Sequence, residues 1–198
     1  MTDEPDENYF LLMDPEWQRL EGEQEPPLEA VVGLWPVHPD GSMGRFRSNP
    51  EYVPRHPGSP SDPIDALLRL AMRGDAQMEQ LQLVLRDSLV DLAMNGDGRP
   101  LILKSPDDLA CVVVATGTPH RARTFAPEWR RVELEELVAQ LADGVDVLIN
   151  PGGPATVRLT GDFIRHTLLL GDDEIAAAYD RFREEDRVAV IPWEVGTP

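Results

Sequence analysis

A chain of 198 residues and 22.1 kDa is long enough for one large domain or two very small ones with a buried core. Hydrophobic residues make up 41% and charged residues 27%, and no run approaches the ~20 apolar residues of a membrane span, which excludes a transmembrane protein. The formal charge of -18 excludes DNA, RNA and anionic membranes as main partners, because affinity for phosphates needs clustered Lys and Arg.

The charge is uneven. Residues 1 to 29 hold ten acids against Arg19, residues 172 to 198 hold eight acids against three arginines, and the central 142 residues carry only -4. Lys104 is the one lysine among 18 basic residues, a usage bias typical of a GC-rich genome. Met1 to Asn8 carries four acids and no base where a secretory signal needs a positive region followed by an apolar one. A single cysteine, Cys111, provides neither an intramolecular disulfide nor a cysteine-zinc cluster. A cytoplasmic protein is expected.

In chain order, Tyr9 to Met13 is a short apolar run closed by Asp14-Pro15, the pattern of a buried strand ending in a turn. Residues 21 to 29, with their glutamates and Pro26-Pro27, are expected to form a loop. Ala30 to Val37 is the next strand, and His38-Pro39-Asp40-Gly41 supplies a turn before a strand at Met43 to Phe46, giving a hairpin. Five prolines between Pro50 and Pro63 specify a stiff surface loop. Asp62 as N-cap, Pro63 at the first helical position and Gly74 after the last turn bracket a helix with Ile64, Leu67, Leu68 and Ala71 on one face. Met78, Leu81, Leu85, Leu89 and Leu92 continue the helical spacing and predict one long helix opening at Asp75.

Leu101 to Leu103 and Leu109 to Thr116 are predicted strands, the second apolar throughout as in a strand covered on both faces. A helix over 132 to 142 follows, with Glu133, Glu135 and Glu136 in its first turns and Gly144 at its end. Val145 to Ile149 is a strand running into Asn150-Pro151-Gly152-Gly153, followed by a short strand near Thr156 to Arg158 and a helix from Thr160 to Leu170. Asp172 caps the next helix, with an apolar stripe of Ile175, Ala178, Tyr179 and Phe182, and Val188 to Ile191 is the last strand.

Three landmarks occur twice in the same order: Pro15-Glu16-Trp17 and Pro127-Glu128-Trp129, Asn49-Pro50 and Asn150-Pro151, Gly74-Asp75 and Gly171-Asp172. They suggest an internal duplication with an acidic tail over 1-8, a partial repeat over 9-73, a whole unit over 74-170, and a carboxy-terminal helix and strand over 171-198 that complete the amino-terminal half. If so, the last strand meets the strands of residues 9 to 37.

Catalytic signals are weak. Cys111 sits inside Ala110 to Ala115 with no base at a plausible spacing and reads as a small buried hydrophobe. His38, His56, His120 and His166 show no metal-binding spacing, and Asp107-Asp108 and Glu184-Glu185-Asp186 lack the spacing of a Ca²⁺ loop. Thr116-Gly-Thr-Pro and Asn150-Pro-Gly-Gly resemble phosphate loops only in their glycines and suit ordinary strand-to-helix turns. No catalytic, cofactor or metal residues are assigned. Trp35, Phe46, Tyr52, Trp129 and Trp193 lie near predicted loops or strand ends, as interface anchors or as core residues at the ends of strands.

The stretch Val32-Gly33-Leu34-Trp35 through Asp40-Gly41, Gly44-Arg45-Phe46, Asn49-Pro50-Glu51-Tyr52, Ser61-Asp62-Pro63 and Leu67 to Leu70 resembles the type VII secretion system-associated proteins of high-GC bacteria. Residues 75 to 170, with helix, strand pair, helix and the Leu148-Ile149-Asn150-Pro151-Gly152 turn, resemble the SseB amino-terminal domain. One departure is that the predicted helix continues through Leu89 to Met94, where SseB-like domains move sooner into a strand and a proline. The resemblance implies an accessory role beside a secretion apparatus and brings no catalytic residues.

The expected fold is therefore α/β or α+β, a mixed sheet flanked by helices in two degenerate SseB-like half-repeats. The expected function is a non-enzymatic cytoplasmic adaptor or chaperone-like factor, without cofactor, that binds a secretion component or substrate carrying a basic patch. Candidate interaction residues are Trp35, Phe46, Asn49, Pro50, Tyr52, Trp129, Asn150 and Pro151. The alternatives are a small-ligand sensor or enzyme with a pocket at the Thr116-Pro119 and Asn150-Gly153 loops, and an immunity or regulatory partner unrelated to secretion.

Overall fold

The computed structural model describes residues 8–18, 27–184 and 190–194. The acidic residues 1–7, most of the loop expected at 21–29, and Glu185 and Asp186 lie outside the described residues. In order, the elements are β1 (Asn8–Met13), β2 (Val31–Val37), β3 (Arg47–Ser48), α1 (Pro63–Arg73), α2 (Met78–Arg86), β4 (Val90–Met94), β5 (Ile102–Lys104) and β6 (Ala110–Ala115). They continue with α3 (Thr118–Arg121), β7 (Glu128–Val132), α4 (Leu134–Ala139), β8 (Asp146–Ile149), β9 (Val157–Leu159), α5 (Gly161–Leu169), α6 (Asp172–Glu184) and β10 (Val190–Glu194). Mixed α and β content is as the sequence indicates, but the strands form two sheets and not one.

Two compact units divide the chain: Met1–Gln80 with Asp172–Pro198, and Leu81–Gly171. The first contains an antiparallel sheet of order β10-β1-β2-β3, in which Leu11 pairs with Ile191 on one side and Leu34 on the other. The first and last strands thus share one sheet. Leu11, Met13, Ala30 and Val31 form a core cluster with Tyr9, Trp17 and Leu34 packed against it. The hairpin after β2 closes at an isolated Val37–Met43 bridge, and its return strand is Arg47–Ser48 instead of the predicted 43 to 46. Phe46 explains the offset: its ring turns inward over β2, where a Cβ on Gly33 would stand 2.1 Å from the ring, so only glycine fits.

Helix α1 has the caps its sequence specifies. Asp62 accepts the Asp65 amide at 2.9 Å, Pro63 is first in the helix, and Gly74 ends it with φ 82°, a left-handed conformation open to glycine. Ile64, Ala66, Leu67, Leu68 and Leu70 are buried. Tyr179 on α6 donates its hydroxyl to the Gly44 carbonyl at 3.3 Å.

The second unit is built on the order β7-β4-β6-β8-β9, with β5 also paired to β6. Strand β6 is buried along Cys111–Ala115 and runs parallel to β8, matching the prediction for a covered central strand. The predicted long helix is corrected: α2 stops at Arg86, and Val90–Met94 is a strand held between β6 and β7. All five of its residues are buried, so the strand shows no alternation, and Leu89 and Leu92 extend the helical spacing of Leu85 by coincidence. Strand β7 is absent from the sequence reading, because its Glu128-Trp129-Arg130-Arg131-Val132 is the charged composition of a protected edge.

The paired landmarks take different places. Pro15 to Trp17 forms a turn after β1, whereas Glu128 and Trp129 open β7. Asn49 follows β3 and Asn150 follows β8, and β1–β2 is antiparallel where β6–β8 is parallel. Both Gly-Asp pairs fall at junctions of consecutive helices: Gly74-Asp75 lies between α1 and α2, whereas Asp172 is already the first residue of α6.

Candidate functional site

The segment between β3 and α1 is the longest stretch without regular structure among the described residues, and it is fastened along its length. Asn49 does most of this. Its Nδ2 donates to the carbonyls of Leu28 and Val31, both at 2.8 Å, while its Oδ1 accepts the Glu51 amide at 3.0 Å. The Val53 amide donates to Glu29 O at 3.2 Å. Tyr52 then reaches inward, its hydroxyl proton lying between Pro60 O at 2.8 Å and Asp14 Oδ2 at 3.1 Å. Burial, reinforced by the Asp14 carboxylate, pushes the Tyr52 phenol well above its ordinary range.

The far end of the loop is tied to α1. Arg69 donates Nη1 to Gly58 O at 2.6 Å and grips Asp65 with Nε and Nη2 at 3.1 and 2.9 Å, while Asp65 Oδ2 also accepts the Ser61 amide at 2.9 Å. Asp14 Oδ1 orders the turn after β1 by accepting the Glu16 amide at 2.9 Å. Glu16 in turn meets Arg73 at 2.5 Å, a contact that holds the Glu16 carboxyl below its usual range. Between these anchors Val53 stays outside at 51% exposed, and Leu28, in the segment just before β2, is 46% exposed, beside an Arg55–Glu29 pair at 3.4 Å. A braced backbone presenting two apolar side chains can receive a partner at little ordering cost.

Trp35 and Phe46 do not belong to that surface. They are buried core residues whose rings meet edge to face with centroids 4.7 Å apart. Pro50 is exposed and Asn49 and Tyr52 are partly buried, acting as struts beneath the tip. Leu28 and Val53 carried no signal beyond their apolar type in a polar stretch.

In the second unit, the Thr116-Pro119 and Asn150-Gly153 loops do converge at the carboxyl ends of parallel strands β6 and β8. Asn150 is fully buried at φ 51°, however, and its amide is spent on Thr116: Oδ1 accepts the Thr116 amide at 2.9 Å and Nδ2 donates to Thr116 Oγ1 at 2.9 Å. Pro151 O accepts from Thr124 Oγ1 at 3.3 Å. Asn150 is a clamp between two strands and not a group directed at a ligand. Trp129, on β7, is partly buried with Arg121 above its ring at 6.0 Å. Trp193 lies on β10.

Two cavities lie elsewhere. One of about 230 Å³ in the first unit is bounded by Met43, Ile175, Ala176 and Tyr179, and one of about 620 Å³ in the second by Pro100, Ile102, Ala139 and Leu141. Cys111 is fully buried, and that burial raises its thiol pKa. No group of three or more metal-ligating side chains occurs among the described residues, and none of their helices is long and apolar enough to cross a membrane. No known protein family, curated protein or solved structure matches the chain.

Proposed function

We propose that the protein is a non-enzymatic cytoplasmic accessory of type VII secretion that binds a secretion component or substrate through the Asn49–Pro63 loop. One observation carries this reading. Asn49, Tyr52, Ser61 and Asp62, four of the residues that carry the family resemblance, are among those whose hydrogen bonds fix the loop, so the resembling motif helps to maintain a presented surface. The early passage from α2 into β4 also supports the resemblance, since it removes the one departure noted from the SseB-like order.

Affinity purification from the native cell tests the proposal, comparing the intact chain with a Leu28→Asp/Val53→Asp double variant. Both positions are exposed, so the variant should fold. Enrichment of a type VII secretion component by the intact chain, reduced at least tenfold in the variant, is the expected result. Equal recovery by both, or recovery of no secretion protein, contradicts it.

A further inference from the structure

The sign of the charge reverses within one loop of the second unit. From Thr118 to Val132 the chain carries four arginines against Glu128 alone, in a protein whose formal charge is -18. The loop is closed at its base, where Arg121 at the end of α3 lies 6.0 Å above the ring of Trp129 at the start of β7. The Arg123 and Thr124 amides turn back to His120 O and Arg121 O at 3.1 and 3.3 Å, so the segment leaves α3 as a tight turn. At its tip Phe125 is 89% exposed, the most exposed large apolar side chain described.

Two of the four arginines share one partner. Asp91 on β4 is almost wholly buried, with Arg121 3.8 Å from its Oδ2 and Arg131 4.0 Å from its Oδ1. One carboxylate thus orients two guanidiniums, and the local balance stays positive. Trp129 and Arg131 share a face of β7 by the two-residue period of a strand, which places ring, guanidiniums and Asp91 together. Arg123, an exposed residue two positions before Phe125, turns its Nη1 toward His120 Nδ1 at 3.4 Å.

We infer that this loop is a docking surface for a short acidic segment of a partner protein that carries an apolar residue beside its carboxylates. Guanidiniums receive carboxylates in paired hydrogen bonds, and Phe125 offers an apolar contact of low rotamer cost. A peptide suits the site better than nucleic acid: its charge is confined to a few residues, whereas a phosphate backbone extends past the loop into the field of an acidic protein. The surface belongs to the second unit and the Asn49–Pro63 loop to the first, and its sign demands a partner segment opposite to the basic one expected from overall charge.

Selection from a random-peptide display library on the intact chain, followed by fluorescence anisotropy of the enriched peptides, tests the inference. The variants are Phe125→Ser and Arg123→Glu, both at exposed positions, each confirmed as folded by its circular dichroism. Enrichment of Asp and Glu beside Phe, Leu or Trp is expected, with binding weakened at least tenfold by either variant and several-fold between 0.1 and ~0.5 M salt. Basic or uncharged selected peptides, no enrichment, or unchanged affinity in both variants overturns it. Tighter binding of a labelled oligothymidine than of the selected peptides, lost in Arg123→Glu, would overturn it in favour of nucleic acid.

Discussion

The hydroxyl of Tyr52 and the carboxylate of Asp14, 38 positions apart, meet at 3.1 Å beneath the proline-rich loop, with the Pro60 carbonyl 2.8 Å from the same hydroxyl. Tyr52→Phe removes the shared proton and leaves two acceptors unserved, at a cost of about 1 to 3 kcal/mol. Urea unfolding of the two proteins measures it. A smaller change would show that the loop is not braced from below.

The same phenol gives a pH signature. Its pKa in the fold is raised above the ordinary 10.0, because burial and Asp14 disfavour the phenolate. A raised pKa means that the folded state holds the proton more tightly than the unfolded chain does. The Tyr52 contribution is therefore complete below pH ~10 and falls as pH rises above it. Absorbance titration of phenolate in intact protein and Tyr52→Phe should show one tyrosine titrating late or only on unfolding.

Local chemistry was legible in the sequence and tertiary competition was not. The caps of α1 were readable because Asp62, Pro63 and Gly74 act within a turn of their own positions. Strand β4 carries a helical spacing because burial on both faces erases alternation, and β7 lacks a strand pattern because its edge position favours charge. The aromatic residues show the same division. Nothing local distinguishes Trp35, which the packing of Phe46 across Gly33 buries, from Tyr52, which the loop leaves half outside. The Asn49 and Asn150 turns were found, but which groups their amides hold depends on strands distant in sequence.

Asn150 separates backbone strain from lost hydrogen bonding. Asn150→Ala abandons the Thr116 amide in a buried position and keeps a left-handed backbone, a combined cost of about 3 kcal/mol. Asn150→Gly loses the same bonds but relieves the backbone, so it should be more stable than the alanine variant by about 1 kcal/mol. Denaturation midpoints of the pair decide this, and the reverse order would contradict the clamp role.

Arg69 is the remaining brace. Asp65 is fully buried, and Arg69→Ala would leave its carboxylate without the guanidinium, at a cost of about 3 kcal/mol or more. Amide exchange over residues 53 to 61 should accelerate in this variant. Protection unchanged from the intact chain would mean that the Gly58 carbonyl does not depend on Arg69.

The buried thiol supplies a simple check on the central strand of the second unit. With Cys111 fully buried and its pKa raised by that burial, reaction with a disulfide reagent should be slow in the native protein and rapid in urea. Rapid native reaction would place β6 at the surface.

The central claim, that the tip of the Asn49–Pro63 loop meets a secretion component, is tested most directly by placing a photo-reactive amino acid at position 53 and irradiating the native cell. Exposed Asp143, in the other unit, serves as the reference position. A crosslink from position 53 to a type VII secretion protein, absent from position 143, is the predicted result. A secretion protein captured equally from both positions, or none captured from position 53, would contradict it.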